Sequence, residues 1–270
     1  MREITVATVQ MQPVLGHMED NLIKMGEFIR RIATEQPVDL IVFPELVTTG
    51  YEMGPRFPQM AQLVPGPAAN IIGQRASEYG VHVAFGMVTK EKVESIIYNS
   101  AVLIGVDGEV IGQYNKVHLR GEERMAFRAG YRIVPFEADF GVVGLMVGWD
   151  LAFPEAARSL VLEGAELLAV LANWEQPHAA EWQTYLHARA YENATFIAAA
   201  NRVGEEPSYT FFGRSTIIGP RGRIHAAVDD PIEGYAVAKI DLDEIRHQRE
   251  ESQILQCRQP AAYRPVVKKY

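Results

Sequence analysis

The chain of 270 residues has one cysteine, Cys257, so no internal disulfide can staple it. No apolar stretch reaches the roughly 18 to 20 residues that span a bilayer, because Asp, Glu, Lys or Arg interrupts each candidate. A membrane partner is therefore not expected. Basic runs are also missing, and 26 Lys+Arg stand against 34 Asp+Glu for a net charge of -8. Nothing here fits a phosphate backbone, so nucleic acid is not an expected ligand. The seven histidines are scattered without ligand spacing, and neither a metal nor another cofactor is expected. In place of a basic leader and an apolar signal, the first ten residues already read as a strand, which makes the cytoplasm the expected compartment. Internal repeats, low-complexity tracts and linker-like shifts in composition are absent as well. One domain over residues 1–270 is the expectation, with about 245–270, which holds Pro260 and Pro265, as a C-terminal arm able to pack on a partner subunit.

What is present is an alternation of strands and helices. Residues Ile4 to Gln10 alternate and are rich in β-branched side chains, which predicts a strand that Pro13 and Gly16 end. From Asp20 onward Leu22, Ile23, Phe28, Ile29 and Ile32 recur at helical spacing until Pro37. Asp39 to Glu45 is a short apolar run of the kind buried on both faces, closed by a carboxylate. Further helices are predicted over Ala68–Tyr79, Pro154–Glu163 and Ala179–Asn193. Further strands are predicted over Val81–Met87, Val142–Val147, Leu167–Ala172, Phe196–Ala200 and Ser215–Gly219. Tyr98–Val106 and Glu109–Lys116 flank Asp107-Gly108 as a hairpin. The class these elements define is α/β.

Three segments place polar groups at the exit of an apolar strand, where ligand sites of α/β folds gather. In Val42-Phe43-Pro44-Glu45 the carboxylate is a candidate general base, and equally a solvated or helix-capping glutamate. In Tyr114-Asn115-Lys116-Val117-His118 the lysine is a candidate oxyanion stabiliser, though taken alone a strand-edge lysine that blunts aggregation is the preferred reading. His118 reads as a structural hydrogen-bonding histidine. The run Gly141 to Gly148-Trp149-Asp150, leading to Phe153-Pro154-Glu155, has the shape of a nucleophile elbow with no nucleophile in it.

In this order and spacing, the three segments resemble the nitrilase superfamily of carbon–nitrogen hydrolases. The likeness extends to Asn173-Trp174, Ala188 to Asn193, Asn201 to Gly204, Gly213-Arg214-Ser215, and Arg258, Pro260 and Tyr263, and so covers nearly the whole chain. It implies a four-layer α-β-β-α sandwich, a homodimer or higher homo-oligomer, and a metal-free site of Glu, Lys and Cys. By that resemblance Glu45 is the general base, Lys116 the oxyanion stabiliser and Glu123 the second glutamate, with Glu122 as the fallback if the alignment slips by one. The glutamate takes the thiol proton, the thiolate attacks an amide or nitrile carbon, and water releases the covalent acyl group.

The third catalytic position falls on Gly148, where the family pattern reads Cys-aromatic-Asp. Glycine can neither ionise nor form a thioester, and Cys257 matches no catalytic position. Because Glu45, Lys116, Glu123, Asn173 and Trp174 are all retained, an introduced inactivating substitution is the expectation, with a natural amide-binding pseudoenzyme as its competitor. The expected partner is a small aliphatic amide, ahead of a nitrile, an N-carbamoyl compound or an ω-amide of a dicarboxylic acid. Candidate substrate-binding residues are Tyr51, Trp149, Asn173 and Trp174, and Phe211-Phe212 is a candidate pocket wall.

Overall fold

The computed structural model describes residues 1–92 and 96–268. Two six-stranded sheets lie face to face. The first runs from edge to edge through Gly234–Asp241, Glu3–Gln10, Leu40–Val42, His82–Lys90, Ile97–Ile104 and Val110–Asn115. The second runs through Ile224–Ala227, Thr216–Ile218, Phe196–Asn201, Leu167–Ala172, Gly141–Val147 and Phe136–Ala138. Both sheets are parallel at the centre and antiparallel toward the edges.

Alternation along each strand explains the layers. Val6, Leu40 and Val42 point between the sheets and meet Leu145, Val147, Leu167 and Leu171 of the second sheet. Their neighbours Ala7, Val9, Ile41 and Phe43 point the other way, onto helices Met18–Glu35 and Pro67–Tyr79. In the second sheet Leu168, Val170 and Ala172 face helices Pro154–Leu162 and Ala179–Asn193. Strands buried on both faces must be apolar at every position, which is why the sequence shows unbroken runs there. The helices need only one apolar stripe, supplied in the first by Leu22, Met25, Ile29 and Ile32. The result is a four-layer α-β-β-α sandwich, and the expected fold is borne out. No helix of the described residues is long and apolar enough to cross a membrane.

Several elements differ from expectation. The apolar run at Asp39–Glu45 is a strand only over Leu40–Val42. Pro44 has no N–H to extend the ladder and Leu46 takes a left-handed backbone (φ 45°), so Glu45 sits in a turn beyond the strand end. The stretch from residue 245 is not all arm, since Asp243–Ser252 is a helix that buries Ile245 and Gln248. The exposed turns of Pro260–Val267 follow it, and residues 269–270 lie outside the described residues. Strand Gly234–Asp241, which pairs antiparallel with Glu3–Gln10, was not anticipated. Its signal is the alternation of buried Ala236, Ala238 and Ile240 with more exposed neighbours.

One close approach fixes the turn that carries Glu45. Gly86 donates its N–H to the Pro44 carbonyl (3.1 Å), and a Cβ there would lie 2.5 Å from the Leu46 nitrogen and 2.6 Å from the Glu45 Cα. Both are backbone atoms with no room to yield. Gly86→Ala should cost about 1–3 kcal/mol by overpacking and lower the thermal midpoint by several degrees, read by calorimetry. An unchanged midpoint would contradict this account of the turn.

Candidate active site

Four strand ends from both sheets meet at one edge of the sandwich. Glu45 follows Leu40–Val42, Lys116 follows Val110–Asn115, Gly148 follows Gly141–Val147, and Asn173-Trp174 follows Leu167–Ala172. Lys116 Nζ lies 2.8 Å from Glu45 Oε1 and 2.6 Å from Glu123 Oε1. All three side chains are buried, at 3% exposure or less. Glu123, not Glu122, joins the cluster; Glu122 immediately precedes the same short helix, makes no side-chain cap and is exposed.

Each carboxylate oxygen has a distinct set of partners. Glu45 Oε1 accepts from Lys116 and from the Asn99 side chain (2.6 Å), and Oε2 accepts from the Asn173 backbone N–H (3.0 Å). Glu123 Oε2 accepts from the Arg120 N–H at 3.0 Å. Asn99 was not singled out by sequence, although an asparagine in a strand buried at every position is itself a signal. Burial pushes the Glu45 carboxyl up to about 7; the Glu123 carboxylate adds to the shift while Lys116 and Asn99 oppose it. Burial works against the Lys116 charge, but its two carboxylate partners outweigh it and the ammonium is held above its ordinary range. Near neutral pH the site therefore contains a fixed cation and a carboxyl poised between its two forms.

Gly148 faces this cluster from a left-handed turn (φ 46°). A Cβ built on it would fall against Oε2 of Glu45 and 3.0 Å from Nζ of Lys116. The turn is strapped from below by buried Asp150, which accepts from the Tyr114 hydroxyl (2.8 Å), the His118 N–H (3.0 Å) and the Val147 N–H (3.1 Å). The His118 ring contacts the same carboxylate at 2.8 Å and stacks on Phe153. Arg189 donates to the Leu151 and Ala152 carbonyls at 3.0 and 2.9 Å. None of these contacts involves a side chain at 148.

A pocket of about 330 Å³, counting its open mouth, is lined by Glu45, Tyr51, Lys116, Arg120, Glu123, Gly148, Trp149, Asn173, Trp174 and Glu175. Of the residues that line it, both side-chain polar atoms of Asn173 and the Trp174 indole N–H are buried without a partner among the described residues, the Trp174 ring packing on Trp182 and Tyr185. Unsatisfied buried groups are costly and ask for a ligand. Tyr51 is held from outside. Its N–H and that of Glu52 donate to Glu206, which pairs with buried Arg202. Phe211-Phe212 do not line the pocket, contrary to expectation: Phe211 packs on Tyr51 and under Arg202, and Phe212 joins the core beneath the helices. Arg120, which sequence did not single out, does line it, paired with Glu175 at 3.6 Å. Among the described residues no group of three or more His, Cys, Asp or Glu is arranged to hold a metal ion.

A buried lysine held between two carboxylates thus sits at one edge of a four-layer sandwich, and comparison with known proteins gives the class. The family model described as carbon-nitrogen hydrolase matches residues 5–250. A probable nitrilase of Schizosaccharomyces pombe is 42% identical over 244 residues, covering 89% of this chain and 90% of that protein. The crystal structure of a carbon-nitrogen hydrolase from Helicobacter pylori G27 superposes with a TM-score of 0.93 at 26% identity, over 99% of both chains. A double mutant of the amidase from Nesterenkonia sp. AN1, solved in complex with acrylamide, superposes with a TM-score of 0.87 at 25% identity, covering 99% of this chain and 98% of that one. The chain belongs to the carbon–nitrogen hydrolase family, within the nitrilase superfamily.

The Glu45 shift has a consequence for stability. The folded chain keeps this proton up to pH about 7, whereas the unfolded chain releases it in the ordinary carboxylate range, so this group's contribution falls as pH rises between those limits and is flat above. Glu45→Gln should remove that slope. Urea unfolding of both chains from the ordinary carboxylate range to above neutrality should show the variant gaining on the parent as pH rises; a pH-independent difference would refute the shift.

Proposed function

We propose that the chain is a small-amide hydrolase whose nucleophile position is Gly148, and that as it stands it binds amides without turning them over. The observation that carries this reading is the aim of two atoms at residue 148. Among the described residues Glu45 Oε2 holds only one hydrogen bond, from the Asn173 N–H, and a side chain at 148 would emerge against it and beside the Lys116 ammonium. Those are the positions of a proton acceptor and of a charge that stabilises an oxyanion.

With a thiol at 148 the steps follow from this geometry. Glu45 takes the thiol proton, and the thiolate attacks the amide carbon. The carbonyl oxygen gains negative charge, which the third N–H of Lys116 receives, since the other two are taken by Glu45 and Glu123. The Trp149 backbone N–H, at the start of the strapped turn, is the second donor. The nitrogen leaves as ammonia with the proton Glu45 had taken; Glu45 then draws a proton from the water that attacks the thioester and returns it to the sulfur as the C–S bond breaks and the acid departs. A carboxyl held near neutrality suits both directions of transfer. The Asn173 amide, with no partner among the described residues, is placed to accept from and donate to the substrate amide.

A small pocket supports a compact amide, and the acrylamide complex of the Nesterenkonia amidase supports the same class by likeness. Retention of the whole buried charge network also supports a recent or introduced loss of the nucleophile, because such a network has no structural need to persist. A non-catalytic amide-binding role is the second reading, favoured by the unpartnered Asn173 and Trp174 groups together with Gly148.

Gly148→Cys decides between them. A left-handed cysteine costs about 1–3 kcal/mol and displaces the Glu45 carboxylate, so some loss of stability is expected. The revertant should release ammonia from simple aliphatic amides and carry the acyl group on residue 148 by mass spectrometry. Adding Lys116→Met should cut its turnover by roughly 100-fold or more. A folded revertant that binds amides and hydrolyses none across a broad panel would leave only the binding role.

A further inference from the structure

A second chamber adjoins the site across Tyr51 and Glu123, with a volume of about 510 Å³ counting its open mouth. Its floor is apolar, from Phe57 and Phe127, whose rings pack with centroids 4.6 Å apart. Tyr51 and Tyr209 form an edge-to-face pair at 5.3 Å and line its wall. Glu52 and Glu122 complete the lining, and among the described residues no basic side chain contributes to it. Glu123 is neutralised by Lys116, but Glu52 has among the described residues only the Ser208 backbone N–H (2.8 Å), and Glu122 is exposed to the chamber. Methylenes fit the floor; two carboxylates and two aromatic faces fit a cation.

The neighbouring catalytic pocket, which shares Tyr51 and Glu123 with this chamber, carries its own sign of a ligand in the buried, unpartnered side-chain amide of Asn173. The nearby cation, Arg120, is engaged by Glu175 and lies over the Trp149 ring, which leaves it poorly placed to receive a carboxylate. The local field agrees. Burial first, and then Glu122, Glu175 and Glu52, raise the Tyr209 hydroxyl pKa against the opposing effect of Arg120.

We propose that this chamber seats the cationic end of the substrate, so that the amide taken by this protein is carried on a short aliphatic chain ending in an ammonium. The inference rests on the amide-binding reading above and names the substrate class within it. It also assigns Glu122 and Glu52 to specificity: they would touch the far end of the substrate and take no part in the bond-breaking steps.

The test uses the chain as it exists, with Gly148 in place, so that binding is read without turnover. Calorimetry compares δ-aminovaleramide with its neutral isostere hexanamide and with anionic glutaramate. At low salt the ammonium amide should bind at least about fivefold tighter than hexanamide, glutaramate should bind weakest, and added salt should narrow the gap. Glu122→Gln, at an exposed position, should reduce the preference, and adding Glu52→Gln should bring it close to parity. Equal binding of the two amides, tightest binding of glutaramate, or no binding of any of the three would overturn the proposal. A cation preference that survives in a Gly148→Cys chain unable to release ammonia would instead sink the hydrolytic reading and leave the chamber's role standing.

Discussion

The site depends on keeping two carboxylates and one ammonium out of water and in contact. Glu45, Lys116 and Glu123 come from separate parts of the chain, and each is almost wholly buried. A buried charge that loses its partner costs about 3–5 kcal/mol, so the cluster holds only while all three sit together with their remaining lone pairs satisfied. Asn99, the Asn173 N–H and the Arg120 N–H provide that satisfaction. Burial, with the Glu123 charge adding to it, raises the Glu45 carboxyl to about 7, and this relieves the surplus of one negative charge. The property that makes the cluster expensive is therefore the one that gives it a proton to exchange.

The turn at Gly148 is built separately from the cluster it faces. Asp150 holds it from one side and Arg189 from the other, through backbone groups of Val147, Leu151 and Ala152. The turn therefore needs no side chain at 148, and glycine is at ease in a left-handed conformation that burdens other residues. Glu45 Oε2 then leans into the space a Cβ would claim. The pocket keeps its shape with glycine at 148, and the side-chain amide of Asn173 in its lining is without a partner among the described residues.

Much of the fold was legible in the chain because a strand buried on both faces leaves an unmistakable apolar run. Leu167–Ala172 and helix Ala179–Asn193 have the bounds their patterns predict. Edge elements were legible only where a turn signal marked them, as Asp107-Gly108 marks Val110–Asn115. Gly234–Asp241 carries only a small-residue alternation that was passed over, and the short pair Val203–Glu205 and Thr210–Phe212 owes its structure to partners that no local pattern announces. Glu45, Lys116 and Gly148 stood out only through three motifs in register, since any one of them alone reads as an ordinary turn or surface residue. Asn99 and Arg120 escaped because their positions follow from packing across the hairpin and around the pocket mouth. Phe211 misled because an aromatic near a motif is as readily a support for the wall behind it, here Tyr51 and Arg202.

The most direct test of the central claim is a double-mutant cycle on the buried cluster. Unfolding free energies of the parent, Glu45→Gln, Lys116→Met and the double variant, measured by urea titration above neutral pH, give the coupling between the two positions. Contact at 2.8 Å in a buried site predicts a coupling above about 1 kcal/mol, with Lys116→Met far more damaging in the parent than in the Glu45→Gln background, where one carboxylate fewer is left unpaired. Additivity within about 0.5 kcal/mol would contradict it, because groups that do not meet cannot be coupled.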